Sequence, residues 1–320
     1  MDYKRQEPYD RYKLGLPFVG IPSFGKYPIC TDLDQLDAHI AVLGVPYDLS
    51  IQYRTGTRLG PRGIRTESML YAFGSGGYDF ERDDVFLGPE CKIVDCGDVD
   101  MIHGDLEQCF ENTELAVRKI VSKGAIPVIM GGDHAVTIPV VRALDCYDKI
   151  HILHIDSHLD WADARSGQRY GNGSPMRRVS ELPFVDKMVQ IGIHGIGSSR
   201  KCDFDDAKAY GSQLISPRQL RKMGIDEALS HLPAGEKYYI TIDIDGLDAA
   251  VAPGAGTPNP GGLTFDEVDE IVEKTCKRGE VIGFDFVEVA PPYDPTGVTG
   301  MTAAKLMLNF MGYVLKEKGL

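Results

Sequence analysis

The 320-residue chain holds a single tryptophan and no apolar run near the 18 or so residues that a membrane helix needs. No membrane partner is expected. The opening stretch MDYKRQEPYDRYK lacks the apolar centre of a secretory signal, so a soluble, cytoplasmic protein is the expectation. Basic residues are scarce: 34 Lys and Arg stand against 47 Asp and Glu, a net charge of −13. A nucleic-acid partner would need clustered positive charge and is not expected, whereas a small cationic substrate is compatible. None of the seven cysteines forms a CxxC pair, and Cys91 and Cys96, the nearest two, have four residues between them. Neither a zinc ribbon nor a disulfide framework follows. Also missing are a phosphate loop in register, a GxGxxG opening a helix after the first strand, and a GxSxG nucleophile elbow.

What the chain does have is alternation. Short apolar runs at 40–45, 92–95, 126–130, 150–155, 188–193, 238–243 and 281–287 read as strands, several apolar almost throughout. Amphipathic segments at 61–73, 105–123, 134–146, 216–232, 264–278 and 300–317 read as helices, with Thr264 and Glu267 spaced as a capping box. The pattern predicts a three-layer α/β/α fold around a mainly parallel sheet of about eight strands. Residues 1–35 are expected to wrap the outside as an extension, and 36–320 to form one domain.

Ligands of such sheets bind beyond the carboxyl ends of the strands. Polar motifs sit there: Gly131-Gly132-Asp133-His134, Asp156-Ser157-His158-Leu159-Asp160, Asp243-Ile244-Asp245-Gly246 and Glu288. In a continuing strand Asp156 and Asp160 would lie about 13 Å apart, so convergence requires the chain to curl after Asp156. Asp243 and Asp245, two apart, would point to the same side of an extended strand. With His134 and His158 the set is four carboxylates and two imidazoles. Packed without cations, the carboxylates would repel and pay a heavy desolvation cost. Two divalent ions would neutralise them, and an oxygen-and-nitrogen donor set without thiolate suits Mn²⁺ while tolerating Ni²⁺, Co²⁺ or Zn²⁺.

These motifs, in this order, resemble those of the ureohydrolases, and within them the agmatinase-like branch related to arginase. The family carries GGDH, DxHxD and SxDxDxxDPxxAPGxGTPxPGG; the chain reads Thr241-Ile242-Asp243-Ile244-Asp245-Gly246-Leu247-Asp248 and then Ala252-Pro253-Gly254-Ala255-Gly256-Thr257-Pro258-Asn259-Pro260-Gly261-Gly262. Gly56-Thr57-Arg58-Leu59-Gly60-Pro61 and Gly283-Phe284-Asp285-Phe286-Val287-Glu288 are similar to two further family segments. The resemblance implies a manganese ion held by His134, Asp156, Asp160 and Asp243. It implies a second held by His158, Asp156, Asp243 and Asp245. It makes Asp160 and Glu288 catalytic, the first orienting the attacking hydroxide and the second accepting hydrogen bonds from a guanidinium group. The reaction would split a guanidino C–N bond into urea, or a substituted urea, and an amine. A homo-oligomer, trimer or hexamer, is implied as well.

The chain departs from the pattern at Asn172, where relatives usually carry a His that shuttles protons to the leaving amine. An amide has no titrating group near neutrality, though it can still hydrogen-bond a substrate. Three consequences stay open. Asp160 carries the proton traffic; or the substrate differs, for instance guanidine or a biguanide; or the chain is a weakly active accessory subunit of a hetero-oligomer. Trp161 and Tyr170, in the loop 161–173 expected at the pocket mouth, are further candidate substrate contacts; Trp161 reads either as packing under that loop, the favoured reading, or as a hydrophobic or cation–π wall. Asp163, Arg165 and Arg169 read as solvated loop charges. His154 reads as a hydrogen-bonded core histidine that could approach the metals.

Overall fold

The computed structural model describes residues 16–72 and 77–320. Its strands, in chain order, are β1 (Ile40–Val45), β2 (Gly77–Asp79), β3 (Asp84–Phe86), β4 (Ile93–Asp98), β5 (Ile126–Gly131), β6 (Ile150–Ile155), β7 (Val185–Ile191), β8 (Gln213–Ile215), β9 (Lys237–Asp243) and β10 (Glu280–Val287). Eight of them form one sheet in the order β4-β1-β5-β10-β9-β6-β7-β8, every pair parallel. β2 and β3 form a separate antiparallel hairpin. The helices are α1 (Gly60–Ser68), α2 (Leu106–Ser122), α3 (Thr137–Arg142), α4 (Pro175–Ser180), α5 (Lys201–Tyr210), α6 (Pro217–Met223), α7 (Ile225–Leu229), α8 (Phe265–Arg278) and α9 (Val298–Glu317).

Side chains alternate between two cores, one on each face of the sheet. In β1, Ile40 and Val42 join Ile64 of α1 and the apolar faces of α8 and α9, while Ala41, Leu43 and Val45 join Phe110 and Val117 of α2 and Val140 of α3. Covering both faces explains why these strands read as continuous apolar runs. Of the expected extension, residues 1–15 lie outside the described residues. The segment that follows runs along the outer edge of the sheet: Cys30 N–H donates to the Asp95 carbonyl, and Asp95 N–H to that of Pro28, both at 2.9 Å.

Several sequence expectations shift at their ends. The predicted helix over 216–232 is two helices, because Gly224 takes φ +87° between α6 and α7. The one predicted over 134–146 opens as a 3-10 turn before α3. β8, α4, α5 and the hairpin carried no strong periodic signal. The capping box of α8 forms as predicted, with Glu267 N–H to Thr264 Oγ1 at 3.1 Å and Thr264 N–H to Glu267 Oε2 at 2.9 Å.

Candidate metal centre

The four motif-bearing strands, β5, β10, β9 and β6, are neighbours at the middle of the sheet, so their carboxyl ends open onto one place. Each end leaves its strand by a different device. After β5, Gly132 passes so close to Tyr47 that a Cβ would lie 1.8 Å from its carbonyl oxygen. Asp133 then caps the following turn, accepting Ala135 N–H at 3.0 Å, and this turns His134 inward. After β6, His158 N–H folds back onto Asp156 Oδ1 at 2.6 Å, and Asp160 takes φ +52°. The curl that convergence required is therefore present. After β9 the strand ends at Asp243, whose Oδ1 caps a 3-10 turn by accepting Asp245 N–H at 2.9 Å. Asp243 and Asp245 thus meet through a turn, not through the strand alternation expected of them. Glu288 follows β10 at φ +64°, a conformation that costs a non-glycine residue about 1 kcal/mol or more.

All six predicted metal-binding side chains come together. His134 Nδ1 lies 3.1 Å from Asp156 Oδ2, 3.0 Å from Asp160 Oδ2 and 3.3 Å from Asp243 Oδ2. His158 Nδ1 lies 3.3 Å from Asp156 Oδ1 and 3.2 Å from Asp245 Oδ2. Asp156 therefore faces both imidazoles, one with each oxygen. His154 also reaches Asp156 Oδ2, at 2.9 Å. The amide nitrogen of Gln190 meets His154 Nδ1 at 2.9 Å, which makes that ring nitrogen the acceptor and leaves Nε2–H to donate to Asp156. Both ring nitrogens have partners, which suits His154 to orienting the Asp156 carboxylate, although its Nε2 also lies within reach of the donors His134, Asp156 and Asp160.

The protonation of His134 follows from its neighbours. Thr241 gives its single hydroxyl proton to Asp285, which also accepts from Thr137 Oγ1 and Tyr239 OH. Thr241 can then only accept from His134 Nε2–H, at 3.0 Å, which turns Nδ1 to the carboxylates; burial resists charge on this ring, but Asp156, Asp160 and Asp243 push it well above the ordinary imidazole value. His134 Nδ1 is buried, has no hydrogen-bond partner among the described residues, and faces three carboxylates. One ring nitrogen cannot balance three carboxylates, whereas imidazole and carboxylate donors gathered this closely fit divalent metal.

The electrostatics agree. Burial, then the charges of Asp245 and Asp156, push Asp243 well above the usual carboxylate range. Burial resists charge on Asp156 too, but contacts with His134, His154 and His158 hold it well below that range. Burial and Asp133 push Glu288 well above its ordinary value. The cluster carries more acid than its imidazoles can balance.

Asn172 lies in the site, its Nδ2 donating to Glu288 Oε1 at 3.4 Å. The other two candidate substrate contacts do not. Trp161 is only 1% exposed and packs in the core with its ring 5.5 Å from that of Tyr210 on α5, as the packing reading had it, and it is no wall of a substrate pocket. Tyr170 turns toward Phe110 and lies under the Arg142 guanidinium, directed to α2 and α3. An indole and a phenol beside an apolar helix layer gain more from burial than from facing a wet mouth. Asp163 pairs with Arg178 at 2.7 Å and Arg169 at 3.2 Å, as loop charges do. Sequence reasoning missed Thr241, Asp285, Gln190 and Thr257, the last donating to Asp245 Oδ2 at 2.8 Å. Thr241, Asp285 and Gln190 are polar residues in otherwise apolar strands and Thr257 lies in the loop after β9; Thr241, Thr257 and Asp285 stood inside the family-like segments with no role attached to them.

A family model described as the Arginase family matches residues 38–312. Guanidinobutyrase of Pseudomonas aeruginosa is 34% identical over 306 residues, covering 92% of this chain and 92% of that protein. The human mitochondrial guanidino acid hydrolase is 34% identical over 303 residues, covering 92% of this chain and 82% of that protein. Among solved structures, proclavaminate amidino hydrolase of Streptomyces clavuligerus is similar with a TM-score of 0.82 at 29% identity, over 94% of this chain and 99% of that one. With this cluster at the middle of an eight-stranded parallel sheet and the family model spanning most of its length, the chain belongs to the arginase family, hydrolases of amidino C–N bonds.

Proposed function

We propose that this protein hydrolyses the C–N bond of a guanidino compound at a two-metal centre, releasing urea or a substituted urea and an amine. The observation that carries the reading is Nδ1 of His134, buried among three carboxylates, with Glu288 beside it. His134, Asp156, Asp160 and Asp243 would hold one ion, and His158, Asp156, Asp243 and Asp245 the other. When bound, the ions supply a water acidic enough to attack at neutral pH. With the ions bound, Asp160 would take a proton from the attacking water and pass it to the leaving nitrogen, the role Asn172 cannot fill. Glu288, buried and short of positive partners, accepts N–H groups of the planar guanidinium.

Mn²⁺ is the proposed ion and Ni²⁺ its rival, both suited to carboxylate and imidazole donors. A homo-oligomer, trimer or hexamer, is proposed to cover exposed apolar side chains such as Phe18 and Phe80, 82% and 85% exposed. A cytoplasmic setting would keep the seven unpaired thiols reduced. The accessory-subunit alternative rests on Asn172 alone, while the complete donor set supports turnover.

The deciding experiment is urea or amine release by the Mn²⁺- or Ni²⁺-loaded protein on agmatine, 4-guanidinobutyrate, 3-guanidinopropionate, arginine, guanidine and biguanides. Turnover of at least one is expected; none on any would sink the reading. Lacking a titrating group at 172, the enzyme should favour substrates whose leaving nitrogen is weakly basic.

A further inference from the structure

Glu288 is held on one oxygen and open on the other. Its Oε1 accepts His134 N–H at 3.0 Å and Asn172 Nδ2–H at 3.4 Å. Its Oε2 is buried without a partner among the described residues. Building on the reading of Glu288 as guanidinium acceptor, we infer that Gln52 and Asn172 form an amide clamp that fixes the Glu288 carboxylate and leaves Oε2 as the seat for one substrate N–H.

The clamp is anchored stepwise. Ser50 donates both N–H and Oγ–H to Asp133 Oδ2, at 3.0 and 2.7 Å. Ser50 Oγ in turn accepts the backbone N–H of Asn172 at 2.9 Å. Gln52 Nε2 then donates to Asn172 Oδ1 at 3.2 Å. That donor sets the orientation of the Asn172 amide, because a flip would place Oδ1 against the Glu288 carboxylate and face two NH₂ groups together. Asp133 therefore connects the turn that carries His134 to the loop that carries Asn172, and the two arrive at the same carboxylate oxygen. The amide of Asn172 is spent on Glu288, so residue 172 acts as a positioning group where a histidine would carry protons. Gln52 is exposed and touches no reacting atom, which makes it a positioning residue too.

The test uses the metal-loaded full chain and two near-isosteric variants. Gln52→Met removes the donor. Gln52→Glu replaces it with an acceptor, which should draw Asn172 Nδ2 away and turn Oδ1 onto Glu288. For the best substrate of the panel, KM should rise about three- to tenfold in the Met variant and more than about tenfold in the Glu variant. In the Met variant kcat should change less than KM, with metal content and Tm unaltered in both. Equal effects in the two variants, or none, would overturn the clamp. A crystal structure of the metal-loaded Gln52→Glu protein reads it without turnover: a changed Glu288 rotamer supports the clamp, and an unmoved Glu288 refutes it. Failure of the wild type on every substrate would strike the hydrolase reading instead, leaving the rotamer to decide the clamp.

Discussion

The two halves of the metal centre are built unequally. The His134 half is closed: the imidazole is 1% exposed, its tautomer dictated through Thr241 by Asp285, whose two oxygens accept three hydroxyls. The His158 half is looser. That side chain is 17% exposed, and among the described residues its Nε2 meets only Asn259 Nδ2, at 3.5 Å. One ion would enter a finished socket, while the other would have to organise part of its own.

The largest expected effect tests what the halves share. Asp156 faces both imidazoles, so Asp156→Asn should lower activity by about a thousandfold or more and empty both positions. Metal analysis finding two ions per chain in that variant would contradict the bridging role. Next, stepwise chelation should remove the His158-side ion first, leaving a species with one ion per chain, and full removal should lower Tm because the carboxylates lose their counter-charge. Simultaneous loss of both would erase the asymmetry. Thr241→Val unlocks the His134 tautomer and should weaken that position alone, by about ten- to a hundredfold in affinity, read by competition with a calibrated chelator. The smallest effect is expected from Asn259→Ala. It should weaken the His158 position severalfold, and a change at the His134 position instead would show that the two are not separable.

The sequence made the ligands legible because metal binding demands particular atoms, and those atoms sit at strand ends that apolar runs announce. It could not make the supporting groups legible in the same way. Thr241, Asp285 and Gln190 act by facing one another across different strands, and that depends on register, which a single chain read in order does not reveal. The mouth was read least well. Trp161 follows Asp160 directly and Tyr170 lies in the same loop, yet the chain curls at Asp160, and both side chains turn to the helix layer. Asn172 was found because it broke a pattern, while its partner Gln52, 120 residues away, broke none.

Asp95 is where the edge of the sheet, the N-terminal segment and α1 are tied. Its carboxylate accepts Phe24 N–H at 2.7 Å and both Nε and Nη2 of Arg65, at 2.8 and 2.9 Å, while its backbone pairs with residues 28–30. A truncated chain starting beyond Cys30 would bare the hydrogen-bonding rim of β4 and strand a guanidinium–carboxylate pair in the open. Such a flank is adhesive toward other chains, so trimmed preparations should self-associate before they lose their catalytic geometry.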